Sequence, residues 1–223
     1  MVKSTSRNAR KSGRSEQFRI PQATRGKGRA ELRRDPEATW HGRDVQTRAI
    51  VLVGFMGAGK TSVGRALSER LGCRFQDLDD RVEAREGRTV ADIFRDSGEA
   101  AFRRSEHAAL QDLLAEAKTG APLILALGGG AFVEPANSSL LDSVATATVY
   151  LDASAEELWR RCGADSVVRP LRSDENAFRK LYEVRRPKYL RAQLRVETGG
   201  RDIEGIVNEI VDRLGLERSG KEM

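Results

Sequence analysis

The sequence predicts an α/β fold, a parallel sheet covered by helices on both faces. Two observations predict it. Continuous apolar runs at 49–53, 122–127 and 147–151 read as strands buried on both faces. Stretches of helical character separate them, and strands alternating with helices close into a parallel sheet. In such sheets ligands bind beyond the carboxyl ends of the strands. The segments at those ends, 54–61, 77–80 and 128–130, are therefore expected to converge on one site.

Taken in order, residues 1–46 are rich in Arg, Lys, Ser, Gly and Gln, and their apolar residues follow neither helical nor strand spacing. Such a segment cannot bury enough surface to offset its ordering entropy, so it reads as a disordered basic extension. Of the net charge of +6, residues 1–48 alone carry +8, from 13 Lys/Arg and 5 Asp/Glu, so the remainder is slightly acidic. The basic character thus belongs to the extension. Its clustered Lys/Arg suit a solvated tail or an arm that contacts a polyanion or an acidic protein partner. The folded domain is expected over 47–216, with a short tail at 217–223. No apolar run is long enough to span a bilayer. Cys73 and Cys162 stand far apart, in no metal-binding spacing, and His41 and His107 are the only histidines. These features argue against a His/Cys metal site or a disulfide scaffold and for a reduced, cytoplasmic protein, with organelle import through residues 1–46 as the minor alternative.

Residues 54–61, Gly-Phe-Met-Gly-Ala-Gly-Lys-Thr, match G-x-x-x-x-G-K-[ST] between a strand at about 48–53 and a helix at 60–71 ended by Gly72. Glycines let the backbone turn its N–H groups inward, and the helix start adds unpaired N–H groups and a positive dipole end. Lys60 can reach the β- and γ-phosphates of a nucleotide, and the Thr61 hydroxyl can ligate Mg²⁺. A short second strand ends at Asp77-Leu78-Asp79-Asp80, where a helix starts that stops at Gly87. Asp77 and Asp79, two apart at a strand end, can serve a metal-bound water and an acceptor hydroxyl, or cap the helix. A short helix closing at Gly98 and a longer one over 99–118 follow, the latter with an apolar face of Ala101, Leu110, Leu113, Leu114 and Ala117.

Arg103 and Arg104 are adjacent on that helix, so only one can easily face a site, and Glu106 lies where it can hold Arg103. The run 122–127 leads into Gly128-Gly129-Gly130, where a substrate can approach backbone N–H groups or the chain simply hinges. A short helix near 136–143 precedes the strand at 147–151. Ser154 and Glu157 form a capping box for a helix ending near Gly163. The polar stretch 164–175 carries Arg169 and reads as mobile. A helix over 176–193 carries Arg185 and Arg186 before Pro187. A weak strand at 195–197 and a helix from Asp202 to Leu214 complete the chain. Arginines near a nucleotide suggest an acidic acceptor, because a guanidinium forks onto a carboxylate.

Beyond these local readings, the chain resembles the shikimate kinases over about 47–215. The matching motifs are Gly-Phe-Met-Gly-Ala-Gly-Lys-Thr-Ser-Val-Gly at 54–64, Asp-Leu-Asp at 77–79 and Gly-Glu-x-x-Phe-Arg-Arg-x-Glu at 98–106. They continue with Leu-Gly-Gly-Gly at 127–130, Arg-Pro-Leu at 169–171 and Arg-x-Pro-x-Tyr at 185–189. The resemblance implies a three-layer P-loop kinase fold, related to nucleoside monophosphate kinases, with a five-stranded parallel sheet and a mobile lid. It implies a monomer that uses ATP and Mg²⁺ to phosphorylate the 3-hydroxyl of shikimate, toward the aromatic amino acids. By the same resemblance, Gly57, Ala58, Gly59, Lys60, Thr61 and Ser62 bind the nucleotide phosphates. Arg161 lies against the adenine, and Arg169 reaches the phosphates from the lid. Thr61 ligates the metal and Asp77 supports it through water. Asp79 orients or activates the hydroxyl, Arg103 and Arg185 clamp the carboxylate, and Gly129 and Gly130 present N–H groups.

The stretch from Arg169 to Arg185 is shorter than the family pattern, and Arg172 and Lys188 stand where aliphatic residues are usual. Competing readings are another small-molecule kinase of this fold, such as a gluconate kinase, or a silent relative that binds ligand to regulate a partner. The first would share the P-loop but is not expected to keep Asp79, Arg103, the glycine triplet and Arg185 together. The second is expected to lose the P-loop lysine or the metal-side acids, whereas Lys60, Thr61, Asp77 and Asp79 are all present.

Overall fold

The computed structural model describes residues 40–41, 46–143, 146–164 and 174–216. Arg169, Arg172 and the expected lid lie outside the described residues, as do residues 1–39 of the basic extension. At the end of the stretch expected to lack order, β1 (Trp40–His41) pairs antiparallel with β2 (Gln46–Thr47).

The main sheet contains β3 (Ala49–Val53), β4 (Arg74–Asp77), β5 (Leu123–Ala126), β6 (Thr146–Asp152) and β7 (Leu194–Glu197). All its pairings are parallel, and the order is β4-β5-β3-β6-β7. The central strand β3 is buried at every residue, as its unbroken apolar run requires. Edge strand β7 instead alternates buried and exposed residues, which explains its weak sequence signal.

The helices are α1 (Lys60–Leu71), α2 (Leu78–Glu86), α3 (Val90–Thr119), α4 (Pro135–Asp142), α5 (Ala155–Ala164), α6 (Glu175–Tyr189) and α7 (Ile203–Leu214). Gly98, at φ 77° and ψ 173°, breaks α3 into the two helices read from the sequence. Leu110, Leu113, Leu114 and Ala117 of its long arm are buried, whereas Ala101 is only half-buried. The expected Ser154 box is half formed. The Ser154 hydroxyl accepts from the Glu157 N–H at 3.2 Å, but the Glu157 carboxylate turns to Arg160 and Arg161. Two nearby guanidiniums hold it more strongly than a neutral backbone N–H would. Helix α6 ends at Tyr189, short of the expected 193. Chain turns there carry Ala192 N–H to the Tyr189 carbonyl and lead into β7.

Candidate active site

Three loops at the carboxyl ends of β3, β4 and β5 build the site. The first is the glycine loop before α1. Gly57 and Gly59 take φ of 79° and 87°, a region that disfavours side chains, and a Cβ on Gly57 would lie 2.9 Å from the Leu158 carbonyl oxygen. No side chain caps α1. Asp77, Thr89, Asp174 and Asp202 do cap α2, α3, α6 and α7. The first N–H groups of α1 are therefore left for an anion. Ala58 is buried, while Lys60 and Thr61 are half-buried and Ser62 is exposed. The Lys60 ammonium donates to the carbonyls of Gly54 and Phe55 at 3.0 and 3.1 Å, so it folds back over the glycine loop.

Asp77 ends β4 and does two things at once. Its Oδ1 accepts the Asp79 N–H at 3.1 Å, which caps α2, and its Oδ2 accepts the Thr61 hydroxyl at 2.9 Å. Capping and a site role are thus not alternatives. The cap holds Asp79 at the start of α2, and the Thr61 bond ties β4 to the glycine loop. A hydroxyl and a carboxylate in contact are hard oxygen donors of the kind Mg²⁺ takes, usually with substrate phosphates and waters completing the shell.

The glycine triplet is where the remaining groups meet. A Cβ on Gly128 would fall 2.7 Å from Asp79 Oδ1 and 3.4 Å from Glu106 Oε1. On Gly129 it would face Arg185 Nη1 at 3.5 Å and the Tyr189 hydroxyl at 3.7 Å. On Gly130 it would meet Arg103 Nη2 at 2.6 Å. Gly128 and Gly130 therefore leave room for charged side chains from α2 and α3, while Arg185 of α6 stands at ordinary contact distance from Gly129. A Cβ on Gly129 would also come 3.9 Å from the Gly54 carbonyl oxygen, so the triplet adjoins the glycine loop.

Helix α3 presents Arg103 and leaves Arg104 exposed, as adjacent helical positions require. Glu106, 1% exposed, holds Arg103 at 2.8 Å, with Glu99 at 3.1 Å and Glu134 at 3.8 Å. Burial works against the charge of Arg103, but Glu106, Glu99 and Glu134 outweigh it and raise its pKa. The Glu106 carboxyl is raised as well, chiefly by burial, with Asp79 and Glu134 adding and Arg103 opposing. Its Oε1 and the Arg103 Nε have no hydrogen-bond partner among the described residues. The result is a buried carboxylate that orients a cation toward Gly130.

Helix α6 carries Arg185 and Tyr189, four residues apart and so on one face. The Tyr189 hydroxyl donates to the Gly129 carbonyl. Arg186, one residue round, bonds Asp152 at 2.9 Å instead. Asp152, buried at the end of β6, also accepts from Tyr150 at 2.5 Å and Arg195 at 2.8 Å. This hub pins α6 to the sheet. Lys188 is exposed, so a cation at a usually aliphatic position disturbs no core.

On α5, Arg161 bonds Glu157 at 2.8 Å and the Thr198 carbonyl at 2.7 Å, beside the loop after β7. The structure thus brings together Lys60, Thr61, Asp77, Asp79, Arg103, Gly129, Gly130 and Arg185, and puts Arg161 on α5, whose Leu158 and Cys162 border Gly57 of the loop. Sequence reading passed over Asp152, although a lone acid closing an apolar strand is a signal. It also gave Tyr189 no part, although Tyr189 repeats the Arg185 face one turn on.

The family model for shikimate kinase matches residues 56–215. A shikimate kinase of Persephonella marina is 36% identical over 167 residues, covering 75% of this chain and 99% of the relative. One of Symbiobacterium thermophilum is 42% identical over 170 residues, covering 74% and 95%. Among solved structures, the shikimate kinase of Acinetobacter baumannii in complex with shikimate superposes with a TM-score of 0.68 at 34% identity, covering 75% of this chain and 92% of that one.

Proposed function

The chain belongs to the shikimate kinase family, and from that premise we infer that it transfers the γ-phosphoryl group of ATP to the 3-hydroxyl of shikimate. The products are shikimate 3-phosphate and ADP. The observation that carries this reading is the glycine triplet, which gathers the carboxylates of Asp79 and Glu106 and the guanidiniums of Arg103 and Arg185 beside the phosphate loop. That set suits an acceptor with a carboxylate at one end and a hydroxyl at the other.

In this reading Gly57, Ala58, Gly59 and Ser62 offer backbone N–H groups to the phosphates, and Lys60 swings from the loop carbonyls onto the β- and γ-phosphates. Arg103 and Arg185 fork onto the shikimate carboxylate, and Gly129 and Gly130 add N–H donors. Asp79 holds the 3-hydroxyl in line with the γ-phosphorus. As the oxygen–phosphorus bond forms and the bond to ADP breaks, the hydroxyl proton passes to the Asp79 carboxylate. Phosphoryl transfer needs positioning and charge neutralisation more than covalent help, and these residues supply both. Thr61 and, through water, Asp77 would hold Mg²⁺, which neutralises phosphate charge when bound. Arg161 flanks the adenine, and Arg169 closes from the lid onto the phosphates.

A coupled ADP-release assay with ATP, Mg²⁺ and shikimate, beside gluconate and no acceptor, tests the reading. ADP release is expected with shikimate alone and is lost in Asp79→Asn and Lys60→Met. Release with gluconate but not with shikimate would overturn it.

A further inference from the structure

The hydroxyl of Tyr189 joins two parts of the acceptor site that come from different elements. It donates to the Gly129 carbonyl, in the loop after β5, from a side chain that is 0% exposed. A Cβ on the same glycine would lie 3.5 Å from Arg185 Nη1 and 3.7 Å from the Tyr189 hydroxyl, so guanidinium and phenol both border the Gly129 peptide. The Tyr189 ring is itself fixed. It packs on the Tyr150 ring at 5.4 Å, and Tyr150 is tied to the buried Asp152. A phenol has one proton to donate and lone pairs to accept. Donating to Gly129 leaves its lone pairs for a neighbouring donor. Burial pushes the Tyr189 phenol up to about 12, with Arg185 opposing by charge and hydrogen bonding, as a guanidinium beside the oxygen would.

We propose that Tyr189 is a positioning residue for the acceptor. Its hydroxyl locks the Gly129 peptide and the Arg185 guanidinium in the relative placement that a carboxylate-bearing substrate needs. This rests on the reading of the site as one for shikimate. Tyr189 touches no reacting atom and acts through Arg185 and the Gly129 peptide. Without the hydroxyl, Arg185 is free to rotate and the peptide to tilt, so carboxylate binding suffers while the phosphate loop is untouched.

The test is Tyr189→Phe, measured alone and in an Arg185→Lys background. The KM for shikimate is expected to rise roughly tenfold, the loss expected for one strong hydrogen-bonded contact, with the KM for ATP within about twofold of wild type. In the Arg185→Lys background most of that rise is expected to vanish, because residues acting through one contact are not additive. Discrimination between shikimate and its methyl ester, which hides the carboxylate, is expected to shrink in Tyr189→Phe. Equal increases in both KM values, an unchanged KM for shikimate, or full additivity with Arg185→Lys would overturn the proposal.

Should Tyr189→Phe fail to fold, ring-¹³C-tyrosine NMR of the wild type asks the same question. The Tyr189 Cζ resonance is expected to shift on adding shikimate and to stay put on adding ADP. A resonance indifferent to shikimate would overturn the proposal. Absence of shikimate turnover by the wild type would instead count against the function on which it rests.

Discussion

Gly130 and Arg103 share a space that would not hold both a guanidinium and a methyl group. A Cβ on Gly130 would lie 2.6 Å from Arg103 Nη2 and 2.8 Å from Nη1. The guanidinium ends a flexible chain, so it would move rather than unfold the loop. Gly130→Ala is therefore expected to raise the KM for shikimate about tenfold while lowering stability by only about 1 kcal/mol. Titrations of substrate and of denaturant check the two halves. Glu106 gives a second prediction at this scale. Its folded pKa is raised above the ordinary 4.5, mainly by burial. Between 4.5 and that raised value the folded protein binds more protons than the unfolded chain, so stability falls as pH rises through that window. Relative to Glu106→Gln, the wild type is expected to gain stability as pH falls through it. Denaturant midpoints of both proteins across pH 4–8 would show this as a slope absent from the variant. The choice of Arg103 over Arg104 was legible from helical spacing. The crowding of three carboxylates around Arg103 was not, because Glu134 arrives from a different element.

Helix α1 shows how an element can invert a propensity argument. Gly64 lies in its interior, where alanine would ordinarily be worth about 1 kcal/mol. Here a Cβ would lie 2.3 Å from the Phe75 ring of β4. The contact lets α1 sit close against the strand that carries Asp77. Gly64→Ala is therefore expected to destabilise the protein by about 1–3 kcal/mol, read from a thermal or denaturant melt, in spite of the better helix former. A more stable variant would contradict the packing argument. Element boundaries were legible where local chemistry sets them. Gly72 and Gly87 end their helices in the left-handed conformation, and Gly98 breaks α3. What escaped was tertiary. Nothing local to Asp152 says that Arg186 and Arg195 will converge on it and thereby fix the helix that bears Arg185 and Tyr189.

For the whole molecule, the parallel order β4-β5-β3-β6-β7 places β3 between β5 and β6, so the phosphate loop and the glycine triplet emerge from neighbouring strands. The alternation of strands and helices was enough to expect a parallel sheet with its site at the strand ends. All five strands were read from the residues, but short, partly exposed strands such as β4 and β7 carry little hydrophobic signal and read only weakly. The central claim is that this one site joins a nucleotide phosphate to a particular hydroxyl of shikimate. Proton–phosphorus correlation NMR on the product made by the wild type from ATP and shikimate addresses it most directly. The account predicts a phosphate coupled to the proton on C3. Phosphate coupled at another carbon, or only free inorganic phosphate, would contradict it.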